Sequence, residues 1–306
     1  MEIKKVNNQR ITRAESICLS GHFIISCCGQ SVSIFDKDLN LIKLFKGLSH
    51  VYKAIISPDE SKIALISSSN LFYVVDTGAF SIMKLKVNGI AGGDLDGRGC
   101  WSFDSKQLYL LPFNAKTYNS VIRIYDTGDW SYTDTLCDRF FLTVIKQLKR
   151  PNTYFLIGYD RTDGVAGSFK LIWLNGSDFT FFNLECEREL FSVIGNARLD
   201  EKEERIILLT DTFSYDCGLT GGKLSRIQKS KEETSIEIQS ANGDYLIKTD
   251  GCGITVTSKQ EPSASSRMNI RYGVLDIAEI GHNIFLVSTK DGLRLIEVDP
   301  WTGPKK

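Results

Sequence analysis

The side chains with the most chemical potential in this chain are acidic, and they gather in two turn-like stretches. The glycine-rich run Ala91 to Gly99 carries Asp94, Asp96 and Arg98, with two carboxylates two positions apart. Carboxylates at that spacing turn toward one cation, and Asp-x-Asp-Gly is similar to the start of a calcium loop. The later oxygen ligands and the closing glutamate of such a loop are missing, so no metal is assigned. The second stretch, Tyr159 to Gly167, carries Tyr159, Asp160, Arg161 and Asp163. A carboxylate desolvated in a cleft rises toward neutral pKa and serves as an acid or base, which makes Asp94, Asp160 and Arg161 the first candidates for hydrolytic chemistry. Nothing in the spacing completes such a site. His22, His50 and His282 are the three histidines, and none stands at a metal-ligand or nucleophile-activating distance from a partner. The glycines from Gly218 to Gly222 precede neither a helix nor a Lys-Ser/Thr pair, so they form no phosphate loop. No catalytic residue, metal ligand or cofactor follows from these residues.

The elements that would hold those stretches are legible in Val51 to Val87. Lys53 to Ser57 is short and β-prone and stops at Ser57-Pro58-Asp59-Glu60, where proline presets φ and aspartate bonds nearby backbone. Lys62 to Ser67, Leu71 to Val75 and Phe80 to Val87 follow, separated by Ser68 to Asn70 and by Asp76-Thr77-Gly78. The first three runs are nearly all apolar, whereas Met83, Leu85 and Val87 alternate with Lys84 and Lys86. That pattern predicts a four-stranded antiparallel sheet with a wet outer strand.

The third strand of this module recurs with its closing polar residue at a steady interval: Asp36, Asp76, Asp126, Leu174 with Asn175, Asp216, Ser258 and Asp299. The steps are 40, 50, 48, 42, 42 and 41 residues, a periodicity that defines a repeat architecture. A β-prone run follows each first turn: FIISCC, KIALIS, QLYLL, YFLIG, RIILLT, YLIKT and IFLVST. No long segment has a 3.6-residue period, so helix is expected to be negligible. The seventh module lacks a fourth strand, and Glu2 to Val6 offers a spare one, whose pairing with Leu293 to Val298 would close a ring.

On SPDESKIAL (Ser57 to Leu65), YVVDTG (Tyr73 to Gly78) and IYDTGDW (Ile124 to Trp130), the chain resembles seven-bladed β-propellers of the tryptophan-aspartate-repeat type in the broad sense. The resemblance implies an all-β fold, a seven-bladed β-propeller of four-stranded antiparallel blades closed by pairing the N-terminal strand with the C-terminal blade. One domain over 1–306 is expected, with blades near 15–46, 51–87, 98–137, 140–184, 191–229, 234–272 and 273–299 plus 1–8. Gly21-His22 and Gly281-His282 fall in first-to-second-strand turns and no Trp-Asp closes a third strand, which departs from the strict repeat. Ser214 to Thr220 is similar to the Asp-box of sialidase-like propellers, with Gly221 where tryptophan is expected, and is placed at the third-to-fourth-strand turn of module five. There the box pins a hairpin away from catalysis.

In a propeller the connections alternate between two faces. The two long steps put their extra residues between strands two and three, in Phe113 to Ser120 and Tyr159 to Gly167, and the run Ala91 to Gly99 opens on the same face. The three together predict a rim carrying Asp94, Asp96, Arg98, Lys116, Tyr118, Tyr159, Asp160, Arg161 and Asp163. Enlarged loops carry binding residues, and tyrosine and arginine contribute most at protein interfaces. The expected function is therefore a non-enzymatic scaffold that binds a protein or peptide. The alternative is a lactonase-like propeller hydrolase with its site at the mouth of the central channel.

Composition bounds the partner. The chain has 306 residues, 42% hydrophobic and 24% charged, with 37 basic and 37 acidic side chains. A formal charge of zero supplies no chain-wide field for nucleic acid or an anionic membrane. The first twenty residues hold no apolar core of signal-peptide length, and no apolar run spans a bilayer. The eight cysteines form no CxxC pair and lie in or beside predicted strands, as reduced, buried thiols do. A cytoplasmic monomer is expected.

Overall fold

Short β-prone runs bounded by Ser, Pro, Asp and Gly clusters form strands wherever they can be seen. The computed structural model describes residues 2–9, 16–87, 98–114, 116–117, 119–137, 140–148, 152–160, 168–175, 178–184, 196–200, 205–209, 213–220, 223–231, 237–249, 253–270, 273–289 and 291–299. Among these residues the regular structure is all strand and every sheet is antiparallel. The chain divides into two compact units, one made of Met1–Ala54 with Glu233–Lys306 and the other of Ile55–Glu232.

The first unit begins with β1 (Ile3–Gln9), β2 (Ser16–Leu19), β3 (Ile24–Phe35) and most of β4 (Leu41–Ile56). The second opens on the last residues of β4 and continues through β5 (Lys62–Ser67), β6 (Leu71–Asp76) and β7 (Ser81–Lys86). Next in it are β8 (Gly99–Trp101), β9 (Gln107–Leu110), β10 (Ser120–Asp126) and β11 (Tyr132–Cys137). Then come β12 (Phe140–Gln147), β13 (Thr153–Asp160), β14 (Ser168–Asn175) and β15 (Asp178–Leu184). It ends with β16 (Asn196–Asp200), β17 (Arg205–Leu209), β18 (Phe213–Thr220) and β19 (Lys223–Lys231). The chain re-enters the first unit with β20 (Glu237–Gln239), β21 (Tyr245–Thr249), β22 (Gly253–Ser258) and β23 (Ser265–Asn269). Last are β24 (Val274–Gly281), β25 (Ile284–Thr289) and β26 (Gly292–Val298). Strand order follows the chain within each sheet, except that β1 lies beside β26 in the order β1-β26-β25-β24.

Burial follows the alternation read from the sequence. In β5 and β6 almost every residue is buried, while Ser81, Ile82, Lys84 and Lys86 of β7 are exposed. In the second unit Tyr109, Leu111 and Ile122 of one sheet pack on Leu142, Ile145, Tyr154 and Leu156 of the next. In the first, Ile247, Ile254 and Val256 pack on Phe285, Val287 and Ile296. Each such side chain contributes about 1.5–3 kcal/mol on leaving water.

The polar residues that marked the repeat are turn locks. Ser57, Ser102 and Ser240 each donate their Oγ to the Oδ1 of Asp59, Asp104 or Asn242, at 2.6, 2.8 and 2.7 Å. Each of these hydroxyls also accepts the N–H that starts the next strand, from Lys62, Gln107 or Tyr245. At the other turn Asp36, Asp76 and Asp126 accept N–H bonds from Asp38, Ala79 and Gly128. Thr77 and Thr127 then join one turn to the other, donating to the carbonyls of Glu60 and Ser105.

Three details differ from the sequence reading. The first two modules, expected as separate four-stranded blades, share one six-stranded sheet in the order β2-β3-β4-β5-β6-β7, because β4 runs unbroken from Leu41 to Ile56 across the expected boundary. FIISCC and the third strand that closes on Asp36 were expected as separate strands, yet strand geometry runs unbroken from Ile24 to Phe35. Gly29 adopts a φ of 58° within it, and the register on β4 shifts there, from Val51 opposite Gly29 to Lys46 opposite Ser31. The Asp-box stretch does not sit in a turn: β18 continues to Thr220, with Asp216 mid-ladder between Ile207 and Gln228. A bulge at Gly218 and Leu219 absorbs the irregularity.

Candidate functional site

Arg98, expected on a partner-binding rim, is 1% exposed. Its guanidinium carbon lies 4.4 Å from the ring centre of Phe113 and 4.5 Å from that of Phe141. The two rings meet edge to face at 5.4 Å. A desolvated cation between two π faces is stabilised by about 2 kcal/mol or more, and the rings replace part of its lost hydration. Arg98 Nη1 also donates to the Leu111 carbonyl, while the Arg98 carbonyl accepts Leu111 N–H at 3.0 Å.

Local sequence explains how these three side chains meet. Gly99 lets β8 press against its neighbours: a Cβ there would lie 2.8 Å from Ile66 Cδ1 and 3.0 Å from Leu110 Cδ2. That close approach fixes Arg98, the residue just before it. Phe113 bridges to Ser120 across the base of the first enlarged connection. Pro112 accepts Val121 N–H and Asn119 accepts Asn114 N–H through their carbonyls, closing that base further. Ser120 Oγ accepts Leu142 N–H at 3.0 Å, tying the connection to β12, where Phe141 sits. Tyr159, the ladder partner of Phe141, stands at the entry of the second enlarged connection.

Three of the nine expected rim residues can be placed in full. Arg98 and Tyr159 converge on Phe141, Arg98 by stacking and Tyr159 through the ladder. Lys116 is exposed in an Asx-type turn, its N–H donated to Asn114 Oδ1 at 2.8 Å. Asp160 is placed by its backbone alone, opposite Phe140 and Ser168. Asp94, Asp96, Tyr118, Arg161 and Asp163 lie outside the described residues. The sequence reading missed Phe113 and Phe141 as site residues. The available signal was a ring at each of two strand ends flanking the polar runs.

Among the described residues no three His, Cys, Asp or Glu side chains gather as a metal site would require. His22 and His282 are exposed in first-to-second-strand turns. Cys27 and Cys100 have their thiols pushed up to about 12 by burial, which makes them poor nucleophiles. A second arginine is also structural: Arg123 makes a two-pronged ion pair with Asp134, at 2.7 and 2.6 Å, and stacks on Tyr132 at 4.1 Å. Among the described residues the arrangement gathers Phe113 and Phe141 around the Arg98 guanidinium.

No protein-family model and no curated protein matches the sequence. Solved structures do resemble it. The β-propeller domain of Cps50 (Swd1) from Myceliophteria thermophila superposes with a TM-score of 0.68 at 10% identity, over 97% of this chain and 100% of that one. Hydrazine synthase from Kuenenia stuttgartiensis superposes with a TM-score of 0.62 at 10% identity, over 92% and 94%. The likeness defines the fold as a β-propeller, similar to the tryptophan-aspartate-repeat type in architecture and without a subfamily.

Proposed function

We propose that the chain is a non-catalytic β-propeller scaffold of seven blades, closed by β1 on β26, which docks a protein or peptide through the enlarged connections of blades three and four. The observation that carries this reading is the Arg98 stack. It anchors the start of β8, the base of the Phe113–Ser120 connection and the start of β12 as one rigid platform. Phe113, Phe141 and Tyr159 remain only partly buried on it. Partly exposed aromatic rings fixed on strands lose little conformational entropy on binding, which suits an interface anchor. The blade boundaries are taken from the repeat, which divides the six-stranded sheet β2-β3-β4-β5-β6-β7 between the first two modules. The protein acts as a monomer in the cytoplasm, and neither nucleic acid nor a membrane is its partner. No helix among the described residues is long and apolar enough to cross a bilayer.

Affinity capture from the native host tests the reading, using the intact chain and a variant with Lys116→Ala, Tyr118→Ala, Tyr159→Ala and Arg161→Ala. Loss of one specific protein from the variant, with unchanged circular dichroism, supports the platform. Equal capture by both proteins overturns it.

A further inference from the structure

Seven large apolar side chains are exposed among the described residues, and three of them, Leu41, Ile42 and Leu44, fall within four positions of β4. They are 52%, 39% and 39% exposed, and Lys43 between them is exposed too. Consecutive exposure means that both faces of the strand are uncovered, because successive side chains point to opposite sides. One backbone edge of this stretch is used, with Leu41, Lys43, Leu44, Phe45 and Lys46 registered on Phe35, Ile34, Ser33, Val32 and Ser31 of β3. The other neighbour in the strand order, β5, connects at the far end of β4, where Ser57 N–H donates to the Lys62 carbonyl. Residues 41–46 therefore present an outer edge.

Such edges are usually blunted by charge or shortness. Two other fourth strands are: β7 exposes Ile82 with Lys84 and Lys86, and β23 exposes Ser265, Arg267 and Asn269. The β4 edge is more apolar, with three exposed aliphatic side chains against one in β7 and none in β23. Lys43 lies 5.8 Å from the Phe45 ring centre, and among the described residues neither Lys43 nor Lys46 has a carboxylate partner.

We propose that residues Leu41–Lys46 of β4 accept an extended segment of another protein as an added strand, and that this segment is aliphatic with two acidic side chains three positions apart, one opposite Lys43 on one face of the strand and one opposite Lys46 on the other. Backbone bonds to the open edge supply the docking, Leu41, Ile42 and Leu44 cover the aliphatic positions, and Lys43 and Lys46 meet the carboxylates. Charge selects this occupant over a second copy of the chain, whose own Lys43 and Lys46 would stand across the seam from these two. The surface is separate from the Arg98 platform and does not depend on it.

The test uses a short acetylated and amidated valine peptide with two glutamates three positions apart, a counterpart with lysines in their place, and the full chain as wild type and as Lys43→Glu/Lys46→Glu. By fluorescence anisotropy the glutamate peptide is expected to bind the wild type about tenfold tighter than the lysine peptide, as two cross-strand charge pairs allow. The double variant reverses that order, and amide exchange slows at residues 41–46 when the peptide is bound. Equal affinity for both peptides, no binding at millimolar peptide, or slowed exchange confined to other residues overturns the proposal. So does a peptide-free dimer in sedimentation whose protected segment is 41–46.

Discussion

Asp59 shows how much of this protein rests on single polar atoms. Its carboxylate is pushed up by partial burial and pulled down further by hydrogen bonds from Ser57, Ser61 and Ser105, for a net value of about 2. Asp104, in the equivalent turn, is also held low, first by the Ser102 hydroxyl and then by Lys106 N–H. A carboxyl depressed on folding contributes stability that is fully present above its unfolded value near 4 and is lost as pH falls toward 2. The wild type is therefore expected to lose stability between about pH 4 and pH 2, and Asp59→Asn to flatten that acid limb in urea titrations at stepped pH. An unchanged acid limb would show that the turn locks do not carry it. Ser105 Oγ, which accepts Asp59 N–H at 3.1 Å, makes the same residue a link between two successive modules.

Glycines at the scale of strands separate two mechanisms that look alike in sequence. Gly99→Ala would force a methyl group against Ile66, Leu110 and Ile55 at 2.8, 3.0 and 3.2 Å. Overpacking of that kind costs about 1–3 kcal/mol, and the displacement would reach Arg98 and its two rings. Gly29→Ala meets no atom within 4 Å, and its cost comes from a φ of 58°, about 1 kcal/mol. Denaturant unfolding is expected to rank Gly99→Ala as the more damaging change, with altered near-ultraviolet dichroism in that variant only. The reverse ranking would mean that β8 can shift freely. The strands themselves were legible because their turn chemistry is local: Ser57, Asp59, Asp76 and Asp126 act on backbone a few residues away. The burial of Arg98 was not legible, because it sits in a polar, glycine-rich run and its rings come from positions far along the chain. The extent of β18 was hidden for a related reason, since Asp216 reads as a turn residue until its partners Ile207 and Gln228 are known.

For the molecule as a whole, the ladder between the chain's two ends is the non-local contact that the sequence did announce. β1 registers on β26 from Ile3 opposite Val298 to Gln9 opposite Leu293. Asp299 N–H donates to the Glu2 carbonyl, and Lys4 pairs with Asp299. Deleting residues 1–9 uncovers the backbone edge of β26 beside buried Leu293, Leu295 and Ile296. The truncated protein is expected to melt at least about 5 °C lower and to scatter light on heating, because an open apolar edge recruits other chains. A melting curve superimposable on the wild type would show that β1 is an accessory. With Ile3 and Val298 facing each other across one ladder, the covalent break in the polypeptide is uncoupled from the pattern of its hydrogen bonds. A circular permutant, spliced there and reopened at a surface turn such as Gly78, would trace the same sheets in a new order.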